Sequence, residues 1–315
     1  MAPRRHILPS PARPASLASS RQAGADYGVS DQPNWRTVPW RSHLRAVTVD
    51  ARRIHLVDIG SGEPSPVLFV HGLGGRWQNW IENIAPVARD RRVVAIDLPG
   101  FGRSQLPTEP ISIHGYAAAL ERVCDLLELD AVTLVGNSMG GAITAEMTVR
   151  FPNRVERLVL VSAAAISIAD FNPAPAAALM SAIAHTPLGN PEGVRAILGR
   201  RRARHLAFAA LVRHPTLIDT ETLCELVGGR GAPGLVGAMS AMIANELHGE
   251  LADIDMPTLV VHGRNDMLVP VADSVWLSQR LPDAELEIFE DTGHLAMLER
   301  PIRFNKLLLR FASGA

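Results

Sequence analysis

Cysteine is scarce: the 315 residues contain two, Cys124 and Cys224. They lie far apart and match neither a C-x-x-C pair nor a zinc-type spacing, which excludes a dithiol redox motif and a cysteine-held metal. Cys124 falls in a helical apolar pattern with Leu120, Val123, Leu126 and Leu127, so a buried, inert thiol is expected. A charge excess is also lacking. Lys and Arg total 31 against 32 Asp and Glu, a formal net charge of -1, which gives no electrostatic basis for binding nucleic acid or an anionic membrane. No apolar run approaches the ~18 residues of a membrane span, and no internal repeat is present. Arg4 and Arg5 resemble the start of a signal peptide, but only Ile7-Leu8 separates them from Pro9, too short for an apolar signal core. A cytoplasmic protein is expected.

What is present is apolar bulk. Hydrophobic residues make up 47% and charged residues 20%, enough to bury a sizeable core. Residues 1–35 differ. They are rich in Pro, Ala, Arg and Ser without apolar periodicity, so a mobile tail, dispensable for folding, is expected there.

From residue 36 to 164, strand and helix patterns alternate. Leu44–Val49 and Ile54–Val57, broken at Asp50-Ala51-Arg52, read as a hairpin at a sheet edge. Pro66–Val70, Val93–Ile96, Val132–Val135 and Leu158–Val161 are continuous apolar runs typical of strands buried on both faces. The stretch containing Trp80, Ile84 and Val87 and that from Tyr116 to Leu127 read as helices between them. Such alternation predicts an α/β fold with a mostly parallel sheet and helices on both faces, where ligands sit off the carboxyl ends of the strands. The alternation lapses over 165–253, where helical pieces such as Pro175–Ala184 and breaks at Gly189-Asn190-Pro191 and Gly228-Gly229 suggest a helical cap. It resumes over 254–315 with strands at Thr258–Val261 and Glu285–Phe289, a helix at Val269–Leu281 and a last helix from Met297 to Phe311.

The chain is organised around VTLVGNSMGGAITAEM, Val132 to Met147. Gly136 and Gly140 flank Ser138 as G-x-S-x-G between a strand and a helix, a turn that leaves the hydroxyl standing clear. The helix N-terminus beside it favours developing negative charge. A serine hydroxyl is a weak nucleophile and needs a base, which in turn needs an orienting acid. Asp266 follows one late strand and His294 the next, giving the order Ser, Asp, His. His71 and His262 also sit at strand ends, and Asp97, Glu290 and Asp291 are rival acids; Asp97 and His71 read better as loop braces and His262 as structural. The strand after the nucleophile ends in Ser162-Ala163-Ala164, without a carboxylate, which favours Asp266.

HGLGG, DLPGFGRS, GNSMGG, GRNDMLVP and TGHLAMLERP occur here in one order, and in that order the chain resembles the α/β-hydrolase superfamily. The resemblance implies a mostly parallel eight-stranded sheet with a helical cap and a serine esterase or lipase-like activity. It makes Ser138 the nucleophile, His294 the base and Asp266 its orienting acid. It draws the oxyanion hole from the backbone N–H groups of Leu73 and Met139. It places Gly72, Trp80 and Leu295 at the substrate, although Trp77 and Trp80 also fit helix-to-core packing. No metal or organic cofactor is called for, because the three side chains complete the chemistry.

GNSMGG also resembles the meta-cleavage C–C hydrolases, but HGLGG stands where those have a fuller glycine-rich loop, and Leu295 where they carry tryptophan. The expected substrate is therefore a small carboxylic ester with an apolar acyl group, cleaved through an acyl-enzyme. C–C hydrolysis is the alternative, followed by a non-catalytic binding homologue. Leu179, Met180, Ile183, Leu206, Phe208, Leu211, Met239 and Met242 are the cap residues that could meet the acyl group or pack the cap.

Overall fold

The structure, a computed structural model, describes residues 12–164, 191–227, 232–245 and 251–314. Eight strands form one sheet among these residues: β1 Leu44–Val49, β2 Arg52–Ile59, β3 Val67–Val70, β4 Val93–Ile96, β5 Val132–Asn137, β6 Val155–Val161, β7 Thr258–Gly263 and β8 Ala284–Phe289. Their spatial order is β1-β2-β4-β3-β5-β6-β7-β8. The expected hairpin pairs β1 with β2, and β2 runs antiparallel to β4. The remaining pairings are parallel.

The central strands are apolar because both faces are covered. Leu68 and Val70 enter one core cluster, with Leu120 of α2 (Ile113–Leu126) and Ile143 of α3 (Met139–Arg150). Val67 and Phe69 point the other way, toward α1 (Ile81–Val87) and the last helix, as the two-residue period of a strand requires. Ser112 caps α2, its hydroxyl accepting from the Gly115 N–H at 2.9 Å. Cys124 is fully buried, and burial pushes its thiol up to about 12.

Two boundaries differ from the sequence reading. The last helix divides into two pieces at Arg300, whose φ of -134° and ψ of 64° are non-helical. Pro301 explains the break, since it lacks an N–H and pushes its predecessor out of the α region. The mobile tail expected over 1–35 is corrected for the part that is described. Ala15, Tyr27 and Trp35 are buried, and the Trp35 indole donates to Glu82 at 2.9 Å. A polar, periodicity-free segment can dock by a few aromatic anchors, which a periodicity search does not register. Residues 1–11 lie outside the described residues.

Between β6 and β7 come α4 Pro191–Leu198, α5 Arg201–Phe208, α6 Thr220–Val227 and α7 Leu235–Ile243, with no strand among the described residues there. Phe208, Met239 and Met242 are buried, Leu211 is partly buried against the core, and Leu206 is 81% exposed. Phe208 and Met242 belong to the two core clusters, so they pack this insertion onto the sheet. Leu179, Met180, Ile183, the Pro175–Ala184 stretch, Gly189-Asn190 and Gly228-Gly229 lie outside the described residues. After β7 come α8 Val271–Ser278, then, beyond β8, α9 Ala296–Glu299 and α10 Pro301–Ala312. No helix among the described residues is long and apolar enough to cross a membrane.

Candidate active site

Ser138 sits where β5 turns into α3, with φ 56° and ψ -121°. That conformation costs a non-glycine residue on the order of 1–3 kcal/mol and persists only where its surroundings enforce it. Enforcement comes from close backbone approach on either side. A Cβ on Gly136 would stand 2.3 Å from the Gly140 carbonyl oxygen, and one on Gly140 would stand 2.5 Å from that of Val70. The Ser138 N–H donates to the Val161 carbonyl at 3.0 Å, and its own carbonyl accepts from the Gly141 N–H at 2.9 Å. The side chain does not cap α3, so the capping role that such a serine could play is not taken up.

Asp266 and His294 follow β7 and β8. Both strands run parallel to β5, so the three residues leave the same edge of the sheet. His294 Nδ1 and Asp266 Oδ2 are 2.7 Å apart and both groups are buried. Asp266 Oδ1 accepts from the N–H groups of Leu268 at 2.8 Å and Val269 at 3.0 Å. The carboxylate accepts on every side, so the His294 proton lies on Nδ1 and Nε2 carries none. Burial pushes the Asp266 carboxyl up, but His294 and His262 outweigh it and hold the group well below the usual carboxylate range.

His262 is the second neighbour of that carboxylate. Its Nε2 lies 3.0 Å from the Val269 carbonyl and 3.3 Å from Asp266 Oδ2, and its Nδ1 lies 2.6 Å from Ser274 Oγ. The carbonyl requires a proton on Nε2, so His262 Nε2–H points between two oxygens and steadies the acid.

The loop after β3 lies beside the serine. A Cβ on Gly72 would stand 3.0 Å from Ser138 Cβ, so Gly72 borders Ser138. Among the described residues, neither the Leu73 nor the Met139 N–H has an acceptor, as two donors reserved for an oxyanion would require. His71 fixes this loop. Its Nε2 accepts from the Leu98 N–H at 3.0 Å, so its proton is on Nδ1, which donates to the Gly72 carbonyl at 2.7 Å. Burial pushes His71 down to about 4, so it stays a neutral brace. Asp97 ties down the next loop, accepting from the Trp77 and Arg103 N–H groups, each at 2.9 Å. Arg76 reaches into the helical insertion, donating to the Glu225 carbonyl from Nη2 at 2.7 Å.

Two residues expected at the substrate are packed against the core among the described residues. Trp80 is fully buried, stacked on Phe69 with ring centroids 4.7 Å apart and tilted against Phe304 at 6.2 Å. Leu295 is buried in the same cluster. For both, apolar area removed from water on the sheet face decides the position. The sequence reading also passed over Glu299 and Tyr27. Glu299 is fully buried beneath the His294 loop, and the Tyr27 hydroxyl donates to it. A glutamate before Arg-Pro, five positions past a candidate base, and a tyrosine set between Gly24 and Gly28 were the available signals.

The model of the alpha/beta hydrolase fold matches residues 65–219 and 226–301. The 2-hydroxy-6-oxo-2,4-heptadienoate hydrolase of Pseudomonas putida is 30% identical over 290 residues, covering 86% of this chain and 96% of that protein. Among solved structures, a point mutant of CumD, a meta-cleavage product hydrolase, is 26% identical with a TM-score of 0.66, covering 86% of this chain and 98% of that one. Est816, described as an N-acyl homoserine lactone degrading enzyme, is 26% identical with a TM-score of 0.65, covering 85% of this chain and all of that one. Given that match across most of its length, the chain belongs to the alpha/beta hydrolase fold family.

Proposed function

We propose that the protein is a serine hydrolase that attacks a ketone carbonyl and cleaves the adjacent carbon–carbon bond of a 2-hydroxy-6-oxo-dienoate-type substrate. The observation that carries the catalytic part is the fixed tautomer of His294, with its Nδ1–H given to Asp266 Oδ2 at 2.7 Å. The bare Nε2 takes the proton of Ser138 as Oγ adds to the carbonyl carbon. The Leu73 and Met139 N–H groups receive the resulting oxyanion, at roughly 3–4 kcal/mol per donor. The tetrahedral centre then collapses to an acyl-serine, and His294 returns its proton to the leaving group. Water, deprotonated by His294, adds to the acyl carbon, and Ser138 departs with the proton as the carboxylic acid forms.

The leaving group separates the two readings. An alkoxide leaves readily, whereas a carbon leaving group needs its electron pair delocalised. A 2-hydroxy-6-oxo-2,4-dienoate can meet that need after tautomerising to its 2-keto form, because the pair then spreads to the 2-oxygen. The names of the Pseudomonas hydrolase and of CumD support the carbon–carbon reading. This reverses the order expected from sequence, where an ester came first. Ester or lactone hydrolysis remains the second reading, supported by Leu73 and Leu295 at the two positions that depart from the meta-cleavage pattern and by the likeness to Est816.

Parallel kinetics on a 2-hydroxy-6-oxo-6-alkyl-hexa-2,4-dienoate and on p-nitrophenyl esters separate the two. The expected result is a kcat/KM for the dienoate higher by at least roughly tenfold, about 1.4 kcal/mol of transition-state preference. Higher kcat/KM on esters would replace the carbon–carbon reading with the ester reading. Turnover of neither, with Ser138 still labelled by a fluorophosphonate, would remove both.

A further inference from the structure

The family match begins at residue 65, yet part of the chain before it reaches the loop that carries His294. Tyr27 is buried, and its hydroxyl accepts from the His214 N–H at 2.8 Å, so its own proton points to Glu299 Oε2. The Gly28 N–H donates to the Glu299 carbonyl at 2.7 Å. Glu299 is fully buried and has three further hydrogen bonds. Both of its carboxylate oxygens accept from the Gly293 N–H at 2.9 Å, and Oε2 accepts from the Arg213 N–H at 2.8 Å. Gly293 is the residue before His294. The His294 N–H donates to the Leu211 carbonyl at 3.1 Å, so the helical insertion grips the same loop from its other side.

Arg300 closes the arrangement. It pairs with Asp26, lies 5.3 Å from the Tyr27 ring centroid, and donates to Thr292 Oγ1 at 2.9 Å and to the Glu290 carbonyl at 3.2 Å. Every hydrogen bond to the Glu299 carboxylate is donated to it, and burial pushes this carboxyl up to about 7.

We propose that Tyr27 and Glu299 are positioning residues for catalysis, the amino-terminal segment holding the His294 loop in place through the hydrogen bond from the Tyr27 hydroxyl to the Glu299 carboxylate. This rests on the reading of Ser138, His294 and Asp266 as the catalytic set. Neither residue touches substrate. Both act by fixing the peptide that aims the imidazole, where a small misplacement is costly. The segment therefore belongs to the working enzyme, although it precedes the residues that the family model matches.

Full-length Y27F and E299Q are compared with wild type on p-nitrophenyl butyrate, with active sites counted by fluorophosphonate labelling and folding followed by Tm. The expected result for Y27F is a kcat per labelled site lower by about tenfold, with KM within about twofold. E299Q is expected to lower kcat per labelled site as well, with KM again within about twofold, because its amide NH2 replaces one of the oxygens that accept from the Gly293 and Arg213 N–H groups. Should E299Q fail to fold, Y27F, which lacks only one oxygen, decides by kcat alone. Wild-type kcat per labelled site in Y27F, and in any E299Q that folds, would overturn the proposal even if Tm fell. S138A is run alongside. Retained turnover in S138A would remove the underlying catalytic reading, whereas an inactive S138A with unaffected Y27F and E299Q would remove this inference alone.

Discussion

Exchange of Ser138 for alanine is expected to lower kcat by about a million-fold, roughly 8 kcal/mol of transition-state stabilisation. The size follows from the geometry. Without Oγ there is no atom to form the acyl bond, and the base at His294 has no proton to take. The oxyanion donors and the binding surface persist, so a residual rate of about a thousand-fold over water remains. Stability changes little, because alanine carries the same Cβ at φ 56° and the Ser138 hydroxyl makes no capping bond whose loss would cost the fold. Kinetics on whichever substrate class is turned over, together with Tm, check this. A loss of less than about a hundred-fold would remove Ser138 as nucleophile.

Replacement of Asp266 by asparagine is expected to cost about 10⁴ in kcat with the fold intact. The surroundings dictate which way the amide points. The Leu268 and Val269 N–H groups need an acceptor at the Oδ1 position, so the amide oxygen goes there and the NH2 takes the Oδ2 position. That NH2 then faces His294 Nδ1, 2.7 Å away in the native chain. His294 must accept at Nδ1, its proton moves to Nε2, and the base is lost. The NH2 also meets the N–H of His262, a donor–donor contact that should lower Tm. Asp266 contributes stability as well. Its carboxyl lies well below the ordinary value in the folded chain, so its contribution is present above about pH 4 and is lost as pH falls toward the folded value. A D266N variant retaining kcat within about tenfold of wild type would show that the tautomer is set by some other group.

The parallel strands were legible because burial on both faces writes continuous Val, Ile and Leu runs, and Val67–Val70, Val93–Ile96 and Thr258–Gly263 appear where those runs lie. The turn at Ser138 was legible because its glycines answer a steric demand that no other residue meets. Trp80 stayed ambiguous in the sequence because its position after a glycine-rich loop fits a pocket wall and a core anchor equally; in the fold it packs against Phe69 and Phe304. Tyr27 and Glu299 were missed for a different reason. Their pairing joins positions 272 residues apart, and no local period or propensity records such a contact. The break at Arg300 could have been read from Pro301.

The most direct measurement is peptide mass spectrometry after rapid acid quench of the enzyme turning over p-nitrophenyl butyrate. An acyl group on the peptide containing Ser138 during turnover, absent in S138A and slow to form in D266N, is the predicted result. Turnover retained in S138A, or an acyl group carried during turnover by another residue, would contradict nucleophilic catalysis by Ser138.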